Sequence, residues 1–122
     1  MSYFSFLRLY ENVSFDIDSG NLDYPTVAYE PWTDIRSRDD MATLNLTFPY
    51  GQIPPFYQQQ VLRAYYASVT YIDQAIGVLL NTLKKRGYDK NTIVTLVGDH
   101  GWTLGEHHMF AKYSNFDTAT SK

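Results

Sequence analysis

The run Thr92-Ile-Val-Thr-Leu-Val-Gly98 limits this chain more than any other stretch. It is uncharged and β-branched or apolar almost throughout. That is the composition of a strand covered on both faces, as in a parallel sheet. One such strand cannot cover itself, so the run calls for neighbours on both sides. It comes after a long helical pattern, and the connection Tyr88-Asp-Lys-Asn91 is short. Helix, link and buried strand make half of a βαβ unit, whose other strand is not visible in the sequence.

The helix is expected over 55–87. Val61, Tyr65, Val69, Ile72, Ile76, Leu79 and Leu83 step by four, four, three, four, three and four, which is one helical face. Pro54-Pro55 stands at its start, where a missing N–H costs nothing. Lys84-Lys85-Arg86 occupies the last turn, where the helix dipole favours cations, and Gly87 supplies the stop. Tyr66, Ile72, Val78 and Leu80 widen the apolar face, so one side is expected to be well buried.

Residues 1–53 carry no comparable pattern. Asp16, Asp18, Ser19, Gly20, Asn21 and Asp23 form turns, and Pro25, Pro31 and Pro49 interrupt the chain between there and the helix. Short helical or extended pieces are expected at most, for instance around Arg36 to Leu44. An irregular stretch this long fits a segment draped over a larger body, anchored by Tyr24, Tyr29, Trp32, Phe48 and Tyr50.

The 122 residues allow one small domain. A net charge of −3 gives no basic field for nucleic acid or an anionic membrane. The chain has no cysteine, which excludes disulfides, thiolate metal ligands and a Cys-derived nucleophile within it. Asn12-Val-Ser14 and Asn45-Leu-Thr47 are glycosylation sequons, compatible with secretion. Met1 to Arg8 has no basic n-region and does not read as a signal peptide.

Chemistry concentrates where the strand ends. Asp99 offers hard oxygen and His100 a nitrogen to a divalent cation. Neighbours on a strand point to opposite faces, so the strand must end at Gly98 for both to converge on one ion. Lys112 is a point charge suited to a phosphate or sulfate oxygen. Spacing alone leaves a metal site and a turn into a capped helix both open. His107 and His108 are expected to be solvated, and Glu106 to hydrogen-bond a neighbouring backbone group.

Val97-Gly-Asp-His-Gly-Trp-Thr-Leu-Gly-Glu-His107, together with Ala111-Lys-Tyr-Ser-Asn-Phe-Asp117, resembles the second half of the catalytic domain of the sulfatase family. Val27 to Arg36, Asn45 to Pro54 and Tyr65 to Asp73 extend the resemblance, which runs from about Leu9 to Thr120. It implies an α/β fold of the alkaline-phosphatase type, represented here by one long helix, a buried parallel strand over 92–98, an active-site loop over 99–117 and an irregular N-terminal third. It also implies sulfate-ester hydrolysis on a sulfated glycosaminoglycan, the 2-sulfate of iduronate in dermatan or heparan sulfate. In that chemistry a cysteine converted to formylglycine attacks sulfur, and Ca2+ polarises the sulfate oxygens.

By the same resemblance Asp99 and His100 match a late pair of metal ligands, and Lys112 matches the lysine that contacts sulfate. Trp102 and Tyr113 fall where the substrate pocket is shaped. A lysosomal or secreted parent is implied. The family's N-terminal aspartate ligands and its Cys-x-Pro-Ser-Arg motif are absent, and His108 stands where a glycine is expected. The chain is therefore expected to be an internal piece of a sulfatase with one arm of the metal site and no nucleophile. Two readings compete with a working sulfatase part: a non-catalytic interaction fragment, and a piece of a related phosphoester hydrolase.

Overall fold

The structure is a computed structural model, and it describes residues 3–17, 54–106 and 110–112. The chain divides into two compact units. One comprises Met1–Ser14 and Val61–Val97, the other Phe15–Gln60 and Gly98–Lys122.

The dominant element is the long helix, numbered here α2 (Pro55–Lys85). Its first turn closes on Pro54, whose carbonyl accepts from the N–H groups of Tyr57 (2.9 Å) and Gln58 (3.1 Å). Ser68, Thr70 and Thr82 donate their hydroxyls back to the carbonyls of Ala64, Tyr66 and Val78, so these polar side chains are satisfied within the helix. Its end is a Schellman motif. Gly87 N–H bonds to Lys84 O at 3.0 Å, and Tyr88 N–H to Leu83 O at 3.1 Å. That closure needs a left-handed residue, and Gly87 has φ +76°.

In the first unit a short helix, α1 (Tyr3–Leu7), runs into a 3-10 turn (Arg8–Tyr10), and one aromatic side chain from each meets α2. Phe6 is buried, with its ring edge-on to Tyr71 at 5.8 Å. Tyr10 packs on Tyr66 at 6.0 Å and shares a 2.7 Å hydrogen bond with Thr70. Thr70 has already given its one proton to Tyr66 O, so the Tyr10 hydroxyl is the donor. Arg63 Nε reaches Val13 O at 3.1 Å. These contacts fall on positions 63, 66, 70 and 71, a single side of the helix, with Leu62 and Ala67 buried beside them.

The stripe expected to be the core lies on the opposite side. At 100° per residue its positions are centred about half a turn away from the contact face. Val69, Ile72 and Leu79 are exposed there, and the side forms a groove of about 390 Å³ lined by Tyr65, Ser68, Val69, Ile72, Asp73, Ile76 and Leu96. The expectation of a buried stripe is corrected accordingly. Among the described residues the N-terminal segment contacts the side carrying Arg63, Tyr66, Thr70 and Tyr71, while Val69, Ile72 and Leu79 on the other side stay exposed.

The expected buried strand differs in the same way. Residues 92–98 form no ladder among the described residues. Ile93 is 95% exposed, Leu96 79% and Val97 78%. The segment returns along α2 far enough for Leu96 to line the groove, but nothing described covers either of its faces. A strand is a paired state, and a β-branched run without a neighbour has propensity but no ladder.

In the second unit the described pieces are few. The Gln59 amide pairs with the backbone of Phe15 at both ends. Phe15 N–H donates to Oε1 at 2.9 Å, and Nε2 donates to Phe15 O at 2.6 Å. The expected loop over 99–117 contains a hairpin, β1 (Thr103–Leu104) and β2 (Phe110–Ala111), with Thr103 opposite Ala111 and Leu104 opposite Phe110. The expected anchors Tyr24, Tyr29, Trp32, Phe48 and Tyr50 lie outside the described residues.

Two glycines of α2 and its end are expected to answer substitution with opposite signs. Gly77 is interior to the helix and a Cβ there meets nothing within 4 Å, so Gly77→Ala gains roughly 0.5–1 kcal/mol. Gly87→Ala forces a Cβ into the left-handed region and loses about 1–2 kcal/mol. Urea unfolding of the two variants, monitored by circular dichroism, checks both signs.

Candidate functional site

Gly98 ends the exposed run, and the chain bends at Asp99 and His100. It then buries Gly101, Thr103 and Gly105 in succession, with Thr103 only 1% exposed. Gly105 sits at φ +128°, a conformation that side chains resist, and this lets the chain leave β1 sharply. Glu106 then folds back, and its Oε2 accepts the backbone N–H of Leu104 at 2.6 Å. The sequence expectation that Glu106 bonds a neighbouring backbone group is what the structure shows.

The ladder fixes the position of Lys112. With Thr103 opposite Ala111, the residue after β2 comes alongside the chain that precedes β1. Lys112 Nζ lies 3.3 Å from Asp99 Oδ2, a hydrogen-bonded ion pair bridging thirteen residues of sequence. The lysine side chain is 28% exposed and the carboxylate 79%. The hydrogen bond from Lys112, reinforced by its positive charge, holds the Asp99 carboxyl below its ordinary value of 3.8. Sequence reasoning assigned both residues to one pocket but did not pair them. The signal for the pairing was the turn glycine, Gly105, between two short β-competent stretches.

The remaining candidate residues divide between exposed positions and positions outside the described residues. His100 is exposed beside Asp99, and Trp102 is 40% exposed on the approach to β1. Asn12 is exposed in the turn after the 3-10 segment. Tyr113, Asn45, His107 and His108 lie outside the described residues.

A divalent cation fits this donor set only in part. Asp99 and His100 supply one carboxylate and one imidazole, and the carboxylate already carries an ammonium. Among the described residues no group of three or more His, Cys, Asp or Glu gathers as a metal site. Calcium takes six to eight oxygen ligands, so these residues do not hold the ion by themselves. What the site presents is a lysine ammonium held on an exposed carboxylate, a cation that an oxyanion can engage without removing it from solvent.

Comparison with known proteins adds a second line. The family model described as Sulfatase matches residues 14–121. The chain belongs to the sulfatase family. It is similar to the iduronate 2-sulfatase of Mus musculus, with 47% identity over 118 residues, 94% of this chain and 21% of that protein. The Homo sapiens iduronate 2-sulfatase matches at 47% over the same share of the chain, 22% of its own length. An N-acetylglucosamine-6-O-sulfatase of Bacteroides thetaiotaomicron is 48% identical over 54 residues, 44% of this chain and 10% of that protein. The chain thus spans about a fifth of the length of the iduronate 2-sulfatases it matches. Membership carries the α/β fold of the family, of which the described residues contribute mostly helix and one two-stranded hairpin.

Replacing Lys112 with Met is expected to raise the Asp99 carboxyl back toward its ordinary range, because the hydrogen bond and the charge go together. The depressed value means that the pair stabilises the folded state above the unfolded-state pKa. That stabilisation is lost as pH falls through the lower folded value, below 3.8. Carbon-detected NMR titration of the Asp99 side chain checks the direction. Added salt should move the wild type the same way, since the pair is exposed.

Proposed function

We propose that the chain is part of a sulfatase catalytic domain that hydrolyses sulfate esters, and that the ester is the 2-sulfate of iduronate in dermatan or heparan sulfate. The Lys112–Asp99 pair carries this reading: it sets a lysine ammonium at the bend that holds the candidate metal ligands. Lys112 would meet a sulfate oxygen and stabilise the charge growing there. Asp99 and His100 would form one side of a calcium site in the whole domain, and Trp102 and Tyr113 would border the substrate. The match to iduronate 2-sulfatases along 94% of the chain supports the substrate class, and its span beyond the hairpin speaks against a phosphoester hydrolase.

The sequence holds no cysteine, so the 122 residues supply no formylglycine. The purified chain is therefore expected to show no turnover of a fluorogenic 2-sulfated iduronide, and turnover above buffer would overturn that expectation. The positive test grafts these residues into the matching segment of the mouse iduronate 2-sulfatase. The graft is expected to hydrolyse the same substrate. Lys112→Ala within it should lower kcat/KM by about 10²–10³-fold, the usual cost of one lost oxyanion contact. An active graft indifferent to Lys112→Ala would remove the proposed role.

A secreted or lysosomal parent would carry glycans. Asn12 is exposed and lies in a turn, so it is an accessible acceptor. Translation of the chain behind a secretory leader in the presence of microsomes is expected to give a glycosidase-sensitive mobility step. Asn12→Gln and Ser14→Ala should each remove it, and persistence in both variants would exclude Asn12. Among the described residues no helix is long and apolar enough to cross a membrane.

A further inference from the structure

We infer that Glu106 is a positioning residue for the site: by bonding the Leu104 N–H across Gly105 it fixes the end of β1, and with it the pairing that holds Lys112 on Asp99. The inference rests on the sulfatase reading only for its consequence in catalysis; the geometry stands without it. β1 and β2 are each two residues long, so the ladder that places Lys112 is minimal. A two-residue pairing contributes little persistence of its own, and a slip of one position would turn Lys112 to the other face. Something besides the ladder must fix the pairing.

Glu106 is placed to do so. Its carboxylate accepts the Leu104 N–H at 2.6 Å across the left-handed Gly105. A carboxylate acceptor makes this a charge-assisted bond, about twice as strong as a neutral one. It ties the residue after Gly105 to the residue before it and so fixes the backbone where β1 ends. Thr103 of β1 is buried next in sequence to Leu104. The Lys112 ammonium then arrives 3.3 Å from Asp99 with most of its side chain covered.

The reactivity of Lys112 toward a small amine-acylating reagent reads this without substrate. It is measured by peptide mass spectrometry in the full chain, with the exposed Lys84 and Lys85 of α2 as internal references. Asp99→Ala removes the partner and sets the unpaired rate. Glu106→Ala is expected to raise Lys112 reactivity several-fold toward that rate, with Lys84 and Lys85 unchanged. Glu106→Gln keeps an oxygen acceptor for the Leu104 N–H and should restore slow modification. In the active graft the same Glu106→Ala change should lower kcat more than it alters KM, and Glu106→Gln should recover it.

The inference is overturned if Glu106→Ala leaves Lys112 as slow as in the wild type, or if wild-type Lys112 already reacts at the Asp99→Ala rate. It is also overturned if Lys84 and Lys85 accelerate equally, which would mark a general loss of structure. An inactive graft with the expected Lys112 reactivities would reject the sulfatase reading and leave the positioning role standing.

Discussion

A helix of 31 residues gains most of its stability from what packs against it, and among the described residues the ring contacts and hydrogen bonds that the N-terminal segment makes to α2 fall on one side. The covering side is aromatic and polar: Phe6 on Tyr71, Tyr10 on Tyr66 and Thr70, Arg63 on the Val13 carbonyl. The other side is aliphatic, and it opens onto water together with the run after the helix. A side chain such as Ile72 or Leu79 loses on the order of 25 cal/mol for each Å² of apolar surface left wet. The rest of the structure depends on this imbalance. Among the described residues the first unit is held by ring contacts and directional bonds along one face, and Val69, Ile72 and Leu79 on the other face stay exposed.

That imbalance explains what could be read in the sequence and what could not. The helix was legible because its signals are local: Pro54-Pro55 at the start, the basic last turn, Gly87 after it, and a period near 3.6 between. Periodicity identifies an apolar face but not its neighbour. The stripe from Val61 to Leu83 was therefore found, while the side carrying Arg63, Tyr66, Thr70 and Tyr71 was not recognised as the one the N-terminal segment covers. Tyrosine and threonine look like surface when counted by hydropathy. They become an interface here because each ring has an apolar body, the Tyr10 hydroxyl bonds Thr70 Oγ1, and the Thr70 hydroxyl bonds the Tyr66 carbonyl. The run Thr92–Val97 shows the converse. Its composition is that of a central strand, but strand formation depends on partners that composition does not contain.

The candidate site was legible as chemistry and opaque as geometry. An acid, an imidazole and an amine near the end of an apolar run gave the residue types, and the likeness of the surrounding motifs to sulfatases gave them roles. What the residues could not tell was that Asp99 and Lys112 touch. That contact depends on a ladder of two residues per strand, too short to leave a period, and on the left-handed state of Gly105. Family membership now rests on the extent of the match, residues 14–121, more than on any single side chain in it.

The Gln59 amide has a consequence of its own. It presents one donor and one acceptor to Phe15 in the spacing a neighbouring strand would use, so a side chain stands in for a length of sheet. Such a clamp reads only the peptide group. The identity of the residue at position 15 is thereby released from the contact, while its location is not. Two chain positions 44 apart are tied by a rule of place rather than of composition. Drift at position 15 and constancy at position 59 would be the imprint of that rule over evolutionary time.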